Sequence, residues 1–543
     1  MILATVQFGS IAPAINPLRL SEGAAQTAEN CILTEGGLKP LKGTAAVAGV
    51  TLGRAVDGTI KTIYRYGQEL DSETQSWLQS TKDVSFVRGM VNGDVNEITY
   101  MTGDGKPRIG DATLITSGDT TRFPGAWYEL GMPLPDAPDV LLGGTATDPG
   151  QTPEYVSYVT QWENSWGQAG PYSGPSAVVE TRTGNTVTVT PDTIPVGYSG
   201  DITLVRIFRT VAGSYFLVGE VSPGATFVDD LSNVEAFELD LTLMLAPPQN
   251  MHSMVSLPNG STAGLSGIDL WVSPPYRNYG YPTAYRTTVD SPGVGLGVVD
   301  QNIVVLTRAD PYIVYGGDPS TLAPIRLDFP HSCVSRRSIV SGNGGVFYAS
   351  PDGLCFVGPD SRAVLTEGRF NRETWNAAFK PESIHAYWHD SKYIAFYDTG
   401  SKQGCFILDT RSEGNPITTC SVYATAGYVD KRHDALFLVV GGVLHKWAAG
   451  SALTLKYKGK RHELPYPMCF SVGQVNANAY PLTARFYADG SGTAFHTQTV
   501  TSSKAFRLPR GTRYTTVEVE VESANPIVSI YLSTTAQELK GVT

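Results

Sequence analysis

Cysteine is scarce. Six occur in 543 residues, at 31, 333, 355, 405, 420 and 469, and none form a C-x-x-C pair. That spacing offers neither a disulfide framework nor a zinc site, and it reads as single buried thiols of a reducing compartment. Charge is sparse too. Asp, Glu, Lys and Arg make up 17% of the chain, against about 25% in ordinary soluble proteins. Large buried or assembled surfaces are therefore expected. Long apolar runs are missing, and no stretch approaches the roughly 20 residues of a membrane-spanning helix. The opening MILATVQFGSIAPAINP has no basic n-region and no long apolar run, so it is not read as a signal peptide. Synthesis and assembly in the cytoplasm are expected. Helical periodicity is scarce throughout, which argues against any helix-built fold.

What the chain has instead is turns and short strands. There are 57 Gly, 35 Pro and 27 Tyr, spread along the length. At 543 residues the chain is too long for one core and should divide into about three or four domains. Short apolar or alternating runs bounded by Gly, Pro, Asn and Asp recur, the pattern of antiparallel β-structure. Between 250 and 450 a hairpin repeats. Ile303–Leu306 precedes Tyr312–Tyr315. Val346–Ala349 precedes Leu354–Val357. Tyr393–Tyr397 precedes Cys405–Asp409, and Ala435–Val439 precedes Val443–Trp447. A weaker first copy surrounds Ile268–Val272. The steps from Ile268 through Ile303, Val346, Ile394 and Leu436 are 35, 43, 48 and 42 residues. A drifting repeat of about 40–50 residues built on a hairpin is the signature of β-propeller blades. A sixth copy is read upstream, with Trp77–Ser80 leading into Val84–Val87, then Glu97–Met101 and Lys106–Ile109.

The expected fold is all-β and multi-domain: a six-bladed-like β-propeller, an inserted fibronectin-III-like β-sandwich and a C-terminal β-sandwich. Residues 1–59 form an N-terminal arm and hairpin. Residues 60–135 are the first propeller portion. Residues 136–248 are the inserted sandwich, with strand runs at about ten-residue spacing and prolines at both edges. Residues 249–452 are the main blades, and 453–543 the C-terminal sandwich. In the last, the Val/Glu alternation of Val517–Glu522 predicts a strand with one buried and one wet face.

Catalytic motifs fail on inspection. Thr102-Gly103-Asp104-Gly105-Lys106-Pro107 looks like a phosphate loop, but Tyr100 and Pro107 stand where the motif needs a glycine and a Ser or Thr. Gly36-Gly37 precedes Leu38-Lys39-Pro40, which cannot start a helix aimed at phosphate. Gly264-Leu265-Ser266-Gly267-Ile268 lacks the second glycine of a hydrolase elbow. His385 and His389 would be metal neighbours on a helix. On the strand their context predicts, they lie about 13 Å apart. No two carboxylates stand out as a glycosidase pair. The sequence singles out no catalytic, cofactor-binding or metal-ligating residue, and no cofactor or enzyme activity is expected.

Several segments, taken in order, resemble one family. FGSIAPAINP…AENCILTEGGLKPLKG resembles the opening arm of tail nozzle, or tail tubular, proteins of short-tailed bacteriophages and related prophage structural proteins. EITYMTGDGKPRIGD is similar to a turn in their first blade. FSVGQVNANAYPLTARFYADG and KAFRLPRGTRYTTVEVEVES are similar to their C-terminal module. The resemblance implies a structural virion protein, assembled in the host bacterial cytoplasm and ending in the phage tail. Its partners would be itself, as a hexameric ring, tail adaptor or head–tail connector proteins, and tail fibres or a spike. DNA would pass along the lumen during ejection without specific binding, and no membrane span is implied. The chain's net charge of −11 fits a conduit whose walls do not hold phosphates. The alternative is a carbohydrate-binding or carbohydrate-active β-propeller, an adhesin or a glycosidase.

Overall fold

The computed structural model describes residues 1–33, 37–50, 52, 58–66, 77–91, 94–117, 126–232, 234–412 and 414–539. Strands dominate, so the chain is all-β and multi-domain as expected. The described residues fall into two compact units. One comprises Met1–Thr81, Leu306–Pro311 and Leu327–Thr543, the other Lys82–Val305 and Tyr312–Arg326.

The second unit holds successive four-stranded antiparallel meanders. The first is Ser85–Arg88, Thr99–Thr102, Arg108–Gly110 and Tyr128–Glu129. The next is His252–Ser256, Thr262–Ser266, Asp269–Val272 and Arg286–Thr288. The third is Gly293–Val299, Asn302–Thr307, Tyr312–Tyr315 and Ala323–Arg326. Neighbouring meanders pack face to face. Val87, Tyr100 and Ile109 share a core with Met251, Met254 and Tyr281. Leu265, Leu270 and Val272 share one with Ile303, Val305 and Val314. Sheets stacked on their broad faces bury alternate residues of every strand, which is how propeller blades cohere. The glycine turn after Thr102 is a hairpin. Gly103 and Gly105 sit at φ 101° and 74°, a region open to glycine at no steric cost, and the strands on either side pair directly.

Between the first two meanders in sequence, strands from Asp139 to Asp229 form separate antiparallel sheets. One sheet is Asp139–Gly144, Asn185–Thr190 and Phe227–Asp229. The other is Ala169–Tyr172, Tyr158–Glu163, Leu204–Val211 and Ser214–Val221. The strand run Glu154–Glu163 is interrupted at Ser157. Glu154–Val156 pairs with Val179–Thr181, while Tyr158–Glu163 joins the four-stranded sheet. Ser157 holds the break: its N–H donates to Thr210 Oγ1 and its hydroxyl to the Ser176 carbonyl. The chain enters and leaves the sandwich side by side at Gly131. A Cβ there would lie 2.6 Å from Ala246 Cα, and its φ is +82°, so glycine is required twice over.

The first unit contains further meanders: Val340–Gly342, Gly345–Ser350, Gly353–Val357 and Arg362–Val364, then His385–His389, Lys392–Asp398, Gln403–Asp409 and Ile417–Cys420. In the last meander Ala426–Asp430, Ala435–Val440 and Val443–Lys446 are completed by Ala45–Ala46 from the N-terminal segment. The four hairpins read as two strand runs each, at 303–315, 346–357, 393–409 and 435–447, are antiparallel pairs. One expectation changes. Trp77–Ser80 does not lead the upstream blade but pairs with Thr62–Arg65 in a sheet of its own. The cause is burial, because Ile63 and Trp77 pack on Ala435, Phe437 and Val439 of the last meander.

The N-terminal arm is woven in rather than laid over. Ile2–Thr5 pairs with Ile527–Ser533 of the C-terminal module. Thr27–Glu29 sits between Ile417–Cys420 and Leu455–Lys458, so blade and C-terminal module share one ten-stranded sheet. Cys31–Ile32 pairs with Lys39–Pro40. The expected turn residue Gly36 lies outside the described residues. The C-terminal sheets share a core with the 385–420 meander, so 453–543 has no separate core.

Candidate functional site

A cavity of about 180 Å³ opens in the first unit. Its floor is set by strand register. Ile394 faces Ile407 and Lys392 faces Asp409 across the two central strands of the 385–420 meander. Leu41, Ile32 and Trp447 close its apolar side. Its mouth is ionic. Lys392 Nζ lies 2.5 Å from Asp390 and 4.0 Å from Asp409, and Arg411 bonds both oxygens of Asp390. Burial opposes ionisation of Asp390, but the bonds from Lys392 and Arg411 outweigh it and hold its pKa below the usual value. His389 Nδ1 is 3.7 Å from Asp434. Asp390 is thus held ionised by its cations, which suits binding better than proton transfer.

The two histidines weighed as a metal pair share one strand, as expected, but occupy different surroundings. His385 is buried, stacks on Phe396 at 5.4 Å and has no hydrogen-bond partner for Nε2 among the described residues. Burial, reinforced by the Arg337 charge, pushes its pKa well below 6.5. His389 lines the cavity. Among the described residues no group of three His, Cys, Asp or Glu side chains could hold a metal ion. No described helix is long and apolar enough to cross a membrane.

The other buried ionic clusters are closed and local. Asp430 takes hydrogen bonds from Arg65 and from the backbone of Arg432, and His433 Nδ1 lies 2.9 Å from its Oδ2. This ties the Thr62–Arg65 strand to the last meander. In the C-terminal module the Val/Glu strand has no wet face. Glu518 and Glu520 are 1% and 5% exposed. Glu518 pairs with Lys458 at 2.5 Å and with Arg461, and Arg485 pairs with Glu520 and Glu522. Lys458 also lies 4.2 Å from the Tyr487 ring centroid. The alternation predicts solvent on the Glu side. Cations on the neighbouring strands cover it instead, because opposite charges in register attract across a sheet.

Charge as a whole is unevenly placed, a feature that a net total conceals. Residues 136–248 hold 14 Asp and Glu against three Arg, a net −11, while the rest of the chain balances at 37 of each sign. The acidity of the protein is the acidity of its inserted sandwich. A count by segment would have found this in the sequence.

No protein-family model and no curated protein matches the chain. Solved structures similar to it include the extracellular domain of a putative one component system from B. thetaiotaomicron, 8% identical over 95% of this chain and 82% of that one, with a TM-score of 0.28. PorZ of the type-IX secretion system of Porphyromonas gingivalis is 9% identical over 92% and 84%, at 0.27. YCF48 from Cyanidioschyzon merolae is 10% identical over 67% and 98%, at 0.26. Scores this low carry no argument, and the β-meander architecture rests on the chain's own sheets.

Proposed function

We propose that the chain is a structural virion subunit: a nozzle-type protein that forms a ring at the end of a short phage tail, through which DNA passes during ejection. The observation that carries this reading is how the N-terminal segment is used. Within its first 46 residues it adds a strand to the C-terminal module, to the shared ten-stranded sheet and to the last meander. Closing sheets with strands distant in sequence resists unravelling from the end, as a part under tension requires. The ionic clusters at Asp430 and Glu518 likewise join elements to one another. The resemblance of the two ends of the sequence to nozzle proteins supports the same reading. The location of the acidity refines it: a passive lumen needs only the absence of a basic track, and the chain outside the sandwich carries no net charge.

The test is the size and shape of the purified protein. A closed ring with a central opening supports the reading, and a monomer in all conditions opposes it. A second reading, carbohydrate binding, is favoured by the cavity where Trp447 meets Asp434 and His389, since sugars stack on aromatic rings and bond to charged groups. Saturable glycan binding abolished by Trp447→Ala would support it.

A further inference from the structure

The basic counterpart of the acidic sandwich is also local. Residues 490–517 contain no Asp or Glu, and within them Lys504, Arg507, Arg510 and Arg513 recur at every third position. All four are exposed, and none makes an ion pair among the described residues. Their segment is held from below. Val472 and Gly473 pair with Arg507 and Phe506, the Leu508 N–H donates to the Ser471 carbonyl, and Leu508 is buried. The backbone is therefore anchored while the cations point outward. Arg485, nearby in sequence, is not part of this group, because Glu520 and Glu522 neutralise it.

On the sandwich, nine of the 14 acidic residues make no ion pair among the described residues. The outer face of the three-stranded sheet is also apolar where a lone domain would be polar. Leu141, Thr188 and Val228 stand in one row across the strands, with Leu141 71% and Val228 57% exposed. Asp139 lies two residues before Leu141 on the same face, and Asp230 follows the end of the Val228 strand. Both are exposed. An apolar centre with a charged rim is the composition of a protein interface.

We propose that the basic segment 504–513 of one copy docks on this acidic outer sheet of the inserted sandwich of a second copy. The inference rests on the ring reading and names the surfaces that would build it. The two patches differ, so the contact is head-to-tail, and head-to-tail contacts generate rings or filaments. Charge complementarity chooses the occupant: the same protein carries exposed carboxylates without ion pairs among the described residues, Asp139 and Asp230, at the rim of this sheet face. A nucleic acid is the weaker choice, since four phosphate contacts give a shallow salt slope of about 3.6 and little affinity at physiological salt.

The experiment uses the full chain and two charge-reversed forms, one with Arg507→Glu, Arg510→Glu and Arg513→Glu, the other with Asp139→Lys and Asp230→Lys. Circular dichroism and thermal melting first establish that each folds. Sedimentation at about 50 mM and 500 mM salt then reads the assembly, a range over which screening of exposed charges changes strongly. Wild type should assemble at low salt, each variant alone should associate at least a hundredfold more weakly, and an equimolar mixture should regain assembly. Restoration in the mixture separates a charge contact from a folding defect. Assembly unaffected by either reversal would overturn this contact and leave the ring standing. A wild type that stays monomeric would overturn both. Tight binding of duplex DNA lost only in the arginine variant would overturn the contact by giving the segment another partner.

Discussion

At the scale of single residues, the thiols and the buried carboxylates make the sharpest expectations. All six cysteines are free, and five are buried. Burial pushes Cys333, Cys355 and Cys420 up to about 12, which removes the reactive thiolate. Native protein should therefore react quickly with a thiol reagent at one site, Cys469, and at all six only after unfolding. Fast labelling at two or more sites would contradict the packing. The sequence predicted lone thiols, and it could not show that Cys405 faces Cys420 directly across two strands. Register is set by burial of neighbours such as Phe406 and Ile407, and no spacing rule reports it. Glu518 teaches the same point. Burial raises its pKa, but Lys458, Arg461 and Gln26 lower it further, leaving it below 4.5. A depressed carboxylate stabilises the fold above its unfolded value and loses that contribution as pH falls through the folded one. His385, also depressed, works in the same direction from 6.5 downward. Stability should thus decline on acidification below about pH 6.5, and His385→Phe should flatten the upper part of that decline. Glu518→Ala strands Lys458 and Arg461 and should cost about 3–5 kcal/mol in denaturant unfolding. A loss below about 1 kcal/mol would mean that the cluster is solvated like a surface pair.

At the scale of elements, hairpins were legible and their partners were not. Each repeat hairpin could be read because turn residues and apolar runs are local signals. The destination of the N-terminal strands could not, since those pairings join residues hundreds of positions apart, and neither could the packing of Trp77 against the distant Phe437, which draws Trp77–Ser80 away from the upstream blade. Two deletions test the boundaries. Removing 136–248 behind a short Gly/Ser bridge should leave a folded remainder, because Val156, Val187, Val189 and Ile207 form a core of their own within the sandwich and the chain ends meet at Gly131. Removing only 150–245 strands Asp139–Gly144 without its partner Asn185–Thr190 and should aggregate, as unpaired edges do. Equal solubility of the two would place the boundary elsewhere. Removing residues 1–46 takes a strand from the last meander and both C-terminal sheets, so it should abolish cooperative unfolding rather than trim stability.

At the scale of the whole molecule, composition gave the class but misplaced the charge. The net −11 was read as fitting a conduit whose walls do not hold phosphates, yet it resides in 136–248. What a conduit requires of the remaining chain is weak affinity for phosphate. Duplex DNA at about 50 mM salt should show no tight complex, and steeply salt-dependent binding would mean a basic track. The cavity near Trp447 was not legible either, since Ile32, Lys392 and Trp447 meet only through folding. The measurement closest to the central claim is electron microscopy of the purified full chain, with its mass taken in the same buffer. The expected result is a closed ring of identical subunits around an opening wide enough for duplex DNA, inert toward glycans. A compact monomer that hydrolyses or binds a glycan through the Trp447 cavity would contradict it.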